Sequence, residues 1–199
     1  MKFDKISPVI KHINIPNLIT TFGLICGIFA AYFLTQRDLR MAIVFLFFAG
    51  VMDLIDGFVA TKTNKLSEFG KYLDTLVDFF TCIIMPIWMV FDLLEQDSVV
   101  MFAALVFYCI CGLWRLANYS LVGANKHFTG LPVPAAMSIV TFVIWCAIYY
   151  SFPLWLVICA FFATGLLMVS SIPLEKYGLW QKAFGFLGLV FLIVVLFSR

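Results

Sequence analysis

Apolar stretches of about 20 residues follow one another from end to end of this chain, the length an α-helix needs to cross a hydrocarbon core of about 30 Å. In lipid every backbone N–H and C=O must find its partner within the structure, so only helices and closed barrels can span. The runs here are continuous and lack the period-two alternation of a barrel strand, which selects helices. Composition agrees: 64% of the 199 residues are hydrophobic, 23 are phenylalanine, and 12% are charged, about half the charged fraction of a soluble domain. The expected fold is all-α, a polytopic transmembrane bundle. Hydropathy marks seven spans, near residues 18–36, 40–62, 70–92, 98–122, 131–150, 153–172 and 181–198. No linker or composition shift divides them, so residues 1–199 are expected to form one domain.

Orientation follows from lysine and arginine, which collect on the cytoplasmic side. Lys2, Lys5, Lys11, Lys62, Lys65, Lys71, Arg115, Lys126, Lys176 and Lys182 fall on or near one side, and Arg37, Arg40 and Arg199 on the other. The loop with Asp92, Glu95 and Asp97 has no basic residue. The N-terminus and the 62–71 connection are therefore expected in the cytoplasm and the C-terminus outside. The opening MKFDKISPVIKHINIP is too polar for a cleavable signal. Phe3, Ile6, Ile10 and Ile13 recur at helical spacing there, with Lys2, Lys5, Lys11 and His12 elsewhere. That pattern suits a short interfacial helix bent near Pro8, a disordered start being the alternative. The six cysteines all lie in apolar segments without metal-ligand spacing and are expected to pack as small hydrophobes. With no basic cluster or aromatic platform, nucleic acid is not an expected partner.

Against this background one stretch is out of place. DLIDGFVATKTNKLSEFGKYLDTLVD, residues 53–78, holds four aspartates, in a chain with eleven acidic residues in all. Asp53 and Asp56 are three apart near the cytoplasmic end of the second span, and Asp74 and Asp78 four apart at the start of the third, so each pair shares a helical face. Asp53 and Asp78 both lie roughly 11–12 Å below the helix ends, at about 1.5 Å per residue. Two antiparallel helices thus bring four carboxylates into one pocket. They cannot all be ionised there without compensation, and hard divalent ions with oxygen ligands, Mg²⁺ or Mn²⁺, are the natural answer. The plainer alternative pairs the aspartates with Lys62, Lys65 and Lys71 in the headgroup region. Gly57, Ala60 and Gly70 leave room on the same faces for close approach, although helix packing alone also uses small residues. Arg115, inside an apolar span, could hold a carboxylate, a phosphate or one of the aspartates. His127 reads as interfacial, Pro132 and Pro134 open the fifth span, and Asn17 is the expected N-cap of the first.

The order Asp53-x2-Asp56-Gly57-x2-Ala60-x9-Gly70-x3-Asp74-x3-Asp78 resembles the signature of the CDP-alcohol phosphotransferase family. The resemblance implies an integral membrane enzyme that transfers a phosphatidyl-type group from a CDP-linked lipid to an alcohol. It implies that Asp53, Asp56, Asp74 and Asp78 surround two divalent metals, with Asp78 also the base for the acceptor hydroxyl. Asn17, Thr20, Asp56, Gly57, Ala60 and Gly70 would line the nucleotide pocket. One departure is Thr61, where the family usually has arginine; Lys62 beside it points about 100° around the helix. PNLITTFGLICG at 16–27, HFTGLPVPAA at 127–136 and LLMVSSIPLEKYG at 166–178 resemble the integral-membrane phosphatidylserine synthases within the family. WRLANYS at 114–120 matches in part: Arg115 fits, whereas Asn118 and Ser120 stand where that subfamily more often has arginine and asparagine. The implied reaction is CDP-diacylglycerol plus L-serine giving phosphatidylserine and CMP, with Arg115 as the candidate acceptor-binding residue and a homodimer as the assembly. Another alcohol, glycerol phosphate or inositol phosphate, would call for more basic residues than this chain offers. A cation transporter, the alternative from a different class, would want polar groups leading to both faces of the membrane, and the outer halves of the second and third spans are apolar.

Overall fold

The computed structural model describes residues 8–94, 98–122, 127–175 and 179–197. Helices α1 (Ile15–Thr35), α2 (Leu39–Lys62), α3 (Glu68–Asp78), α4 (Met85–Leu93), α5 (Val99–Val122), α6 (Val133–Tyr149), α7 (Leu154–Val169) and α8 (Leu179–Phe197) follow in chain order. A π-helical stretch, Phe79–Ile84, joins α3 to α4 without a break, so these two share the expected third span. The protein is an all-α integral membrane bundle. Among the described residues four helices are long and apolar enough to cross a membrane: α1, α2, the joined Glu68–Leu93 helix and α5. Helices α6 and α7 are apolar but shorter, at 17 and 16 residues. The connections carry two three-residue strands, β1 (His127–Thr129) and β2 (Pro173–Glu175), paired antiparallel with His127 opposite Glu175. Of the expected N-terminal helix only the 3₁₀ turn Pro8–His12 falls inside the described residues; Phe3 and Ile6 lie outside them.

The cap of α1 corrects one expectation. It is Asn14, not Asn17, whose side-chain oxygen accepts from the Asn17 backbone N–H at 2.9 Å. Pro16 explains the shift: it lacks an N–H and is suited to the first turn, so the helix opens ahead of it. Asp38 caps α2 by accepting from Met41 N at 3.0 Å, and Ser67 caps α3 by accepting from Gly70 N at 3.0 Å.

Proline also accounts for the π stretch. Pro86 has no N–H to give, so the carbonyl of Cys82 lacks the donor four residues on that an α-helix would supply. The Met85 N–H reaches back five residues to Phe80 O instead of four, which is the widened turn itself. Tyr108 of α5, fully buried, donates its hydroxyl to Cys82 O at 2.9 Å and packs edge-on to Phe161 of α7. Small residues let the neighbours close in. A Cβ on Gly27 of α1 would stand 2.7 Å from Thr81 Cγ2, and one on Gly112 of α5 would collide with Ile83. The π stretch is thus wedged between α1 and α5. Tyr108→Phe keeps the ring and strands the Cys82 carbonyl away from water, at a cost of about 1–2 kcal/mol. Thermal unfolding in detergent should show a lower Tm, and an unchanged Tm would mean that the carbonyl finds another donor.

Candidate active site

Helix α1 packs against both α2 and α3, and Gly23 lies where it meets them. A Cβ there would stand 3.4 Å from Met52 Cβ and 4.0 Å from Val77 Cγ1. Beside this seam Asp53 and Asp56 from α2 meet Asp74 from α3: each presents a carboxylate oxygen, and the three oxygens lie within 4.8 Å of one another. Asp78, one turn further along α3, is not in that triplet but lines the same cavity, together with Thr20, Gly23, Ala49, Val77 and Thr81. The cavity measures about 10 Å³, the size of one water or a bare ion. Asp56 is buried; Asp53, Asp74 and Asp78 are half-buried. Thr20 Oγ1 donates to Asp56 Oδ2, and Cys82 Sγ donates to Asp78 Oδ1 at 3.9 Å.

Two of the nearby lysines are engaged elsewhere. Lys62 Nζ lies over the Phe58 ring, 5.7 Å from its centroid. Lys71 Nζ donates to the carbonyl of Ser120 on α5, and Thr75 and Ser120 share a hydroxyl–hydroxyl bond of 2.8 Å. This tie between α3 and α5 was not foreseen, although Lys71 and Thr75 at i, i+4 put two polar groups on one face. With four carboxylates and no basic residue among its lining, the cavity has the donor set of a hard divalent cation and a size to match. The residues fit such an ion.

The remaining candidates surround this centre. Gly70 allows Asn17 to approach α3: a Cβ at Gly70 would lie 2.7 Å from Asn17 Oδ1 and 3.1 Å from Ser67 Oγ. Asn17 is buried and donates its Nδ2 to His12 O at 2.8 Å. It lines a groove of about 180 Å³ in which the His12 and Phe69 rings stack 4.5 Å apart. Gly57, by contrast, faces open space, with nothing within 4 Å of where a Cβ would sit. Ala60 is half-buried one turn below. Thr61, at the family's arginine position, donates back to Gly57 O at 2.8 Å. Arg115 is buried and lies outside the lining of the aspartate cavity; its Nη2 donates to Gly130 O at 3.3 Å. Gly130 holds a positive φ of 76°, donates its N–H to Ile172 O at 2.8 Å, and is followed by Leu131, whose N–H donates to Leu167 O at 2.9 Å. The connection between α5 and α6 is thereby fastened to the end of α7, with Arg115 beneath it. Lys126 lies outside the described residues.

The profile of the CDP-alcohol phosphatidyltransferase family matches residues 13–169. The chain belongs to this family. The match runs from the start of α1 to the end of α7 and takes in the whole aspartate constellation. Within the CDP-alcohol phosphatidyltransferases, the chain is 31% identical over 168 residues to the CDP-diacylglycerol–serine O-phosphatidyltransferase of Methanocaldococcus jannaschii, covering 84% of this chain and 76% of that one. It is 31% identical over 168 residues to the protein of the same name from Bacillus subtilis, covering 82% and 90%. The archaetidylserine synthase of Methanothermobacter thermautotrophicus is 27% identical over 131 residues, covering 64% and 56%.

Proposed function

We propose that this family member transfers the phosphatidyl group of CDP-diacylglycerol to L-serine, giving phosphatidylserine and CMP. The observation that carries the reading is the convergence of three carboxylate oxygens within 4.8 Å, in a cavity that Asp78 also lines; the names of the two relatives at 31% identity support serine as the acceptor. Asp53, Asp56, Asp74 and Asp78 would hold divalent ions, Mg²⁺ or Mn²⁺; the cavity of about 10 Å³ has room for one, and the second of the expected pair would require it to widen. When bound, such ions neutralise the donor's pyrophosphate and stabilise the departing CMP, which is electrostatic catalysis of phosphoryl transfer.

The chain's own residues supply the rest. Asp78 takes the proton from the serine hydroxyl as that oxygen bonds to the phosphatidyl phosphorus and the bond to CMP breaks. Asn17, Asp56 and Gly70 form one wall of the nucleotide pocket. Gly57 and Ala60 form the open one, where the absence of side-chain bulk lets a nucleotide approach the α2 backbone. Arg115 receives the serine carboxylate. The acyl chains remain among the apolar outer surfaces of the helices, and the cavity opens to the cytoplasm.

Purified protein with CDP-diacylglycerol and a panel of labelled alcohols tests the acceptor. Serine should release CMP and enter lipid, with glycerol phosphate and inositol phosphate poor substitutes; a preference for either phosphate would overturn the serine assignment. Sidedness has its own test. In a variant without native cysteines, one cysteine placed in the 63–66 connection should react with impermeant thiol reagents only from the cytoplasmic side, and one near Asp97 only from outside. The reverse labelling would put the site out of reach of a cytoplasmic nucleotide-linked donor.

A further inference from the structure

Thr20 departs from a pattern that several other threonines of this chain keep. A hydroxyl in a helix ordinarily gives its proton to the carbonyl four residues back. Thr21, Thr61, Thr63, Thr75 and Thr81 do so at 2.7, 2.8, 2.7, 2.8 and 2.9 Å. Thr20 Oγ1 stands 3.2 Å from Pro16 O, and its closer partner is Asp56 Oδ2 on the neighbouring helix. A hydroxyl has one proton to give. Thr20 and Asp56 are both buried, at 4% and 6% exposure, where a bond to a carboxylate is stronger than one to a neutral carbonyl. The proton therefore goes to Asp56, and a helix with no acidic residue of its own reaches into the acidic centre.

The geometry points to Thr20 as a positioning residue for the cation site: its hydroxyl fixes the rotation of the Asp56 carboxylate and so presents that ligand to the ion. The inference rests on the divalent-cation reading above and changes the part Thr20 plays in it. With its only proton committed, Thr20 cannot donate to a phosphate of the nucleotide. Its contribution runs through Asp56. Groups that orient a metal ligand in this way are typically worth about 10- to 100-fold in metal affinity.

The test is Mn²⁺ binding to the purified full-length protein without any lipid substrate, read from the paramagnetic resonance signal of free Mn²⁺. Thr20→Val keeps the shape and loses the hydroxyl, and Thr20→Ala is the second variant should valine disturb folding. Either should weaken Mn²⁺ binding about 10- to 100-fold, with a Tm in chelator close to the parent's. Thr20→Ser restores the donor and should return affinity to within about threefold of the parent. At saturating Mn²⁺ the KM for CDP-diacylglycerol should be that of the parent. Undiminished Mn²⁺ binding by the valine and alanine variants overturns the inference. So does a raised donor KM at saturating metal, which would make Thr20 a nucleotide contact. If the parent itself binds no Mn²⁺, the metal reading fails first and this inference with it.

Discussion

Asp53→Asn and Asp74→Asn should each give a folded protein that releases CMP at a rate reduced on the order of a thousandfold or more. Asparagine keeps the shape of aspartate but removes the charge and one of the two anionic oxygens that a hard cation requires. The effect should be large because Asp53 and Asp74 belong to the group of oxygens gathered within 4.8 Å. Stability should move the other way. Carboxylates this close repel when no cation is present, so either variant should match or exceed the parent's Tm in chelator. Mn²⁺ should then raise the parent's Tm and leave the variants' almost unchanged, because a ligand stabilises only the state that binds it. Full turnover by the parent in excess chelator would sink the metal assignment. A variant that unfolds in detergent would instead make the aspartates structural.

Arg115→Lys should raise the KM for serine by roughly ten- to a hundredfold, since a hydrogen bond to a charged group is worth about 1.5–3 kcal/mol. Lysine keeps the positive charge and loses the planar fork that meets a carboxylate with two parallel bonds. The KM for CDP-diacylglycerol should barely move, because Arg115 lies outside the lining of the aspartate cavity. Ethanolamine, which has no carboxylate, should be a poor acceptor for the parent and lose little further in the variant. A raised donor KM with serine unaffected would make Arg115 a phosphate ligand. The bond from Arg115 to Gly130 O adds a third outcome. A lower Tm with both KM values unchanged would reduce the arginine to a strut beneath the connection that carries Gly130.

Span positions were legible because bilayer thickness, not detailed packing, sets the length of an apolar run. The second span was expected at 40–62 and α2 occupies Leu39–Lys62; the fourth was expected at 98–122 and α5 occupies Val99–Val122. The sixth was drawn to 172, whereas α7 ends at Val169. Ile172 is apolar enough to extend a hydropathy window, but Ser170 and Pro173 favour an end to the helix there. The facing aspartate pairs were legible too, since i, i+3 and i, i+4 spacing needs only helical geometry. What hydropathy cannot carry is the partner of a polar atom. Nothing in the apolar pattern says that Tyr108 would serve Cys82, that Lys71 would turn to Ser120, or that Thr20 would pass over its own helix for Asp56. Pro86 was the one visible warning that the third span is not a plain α-helix. Asn14 was hidden as a cap behind Asn17, and Pro16 between them was the clue.

The π stretch also bears on how this chain can change in length. A turn closed by bonds five residues long holds one residue more than the α-turn it replaces. Losing a residue from an ordinary transmembrane helix swings everything beyond it through about 100°, enough to carry Asp74 and Asp78 or Met85 and Met89 off their faces. Within Phe79–Ile84 the surplus residue can be lost by tightening that one turn, and the faces on either side keep their alignment. Between the acidic end of this helix and its apolar end, the chain holds a length of slack.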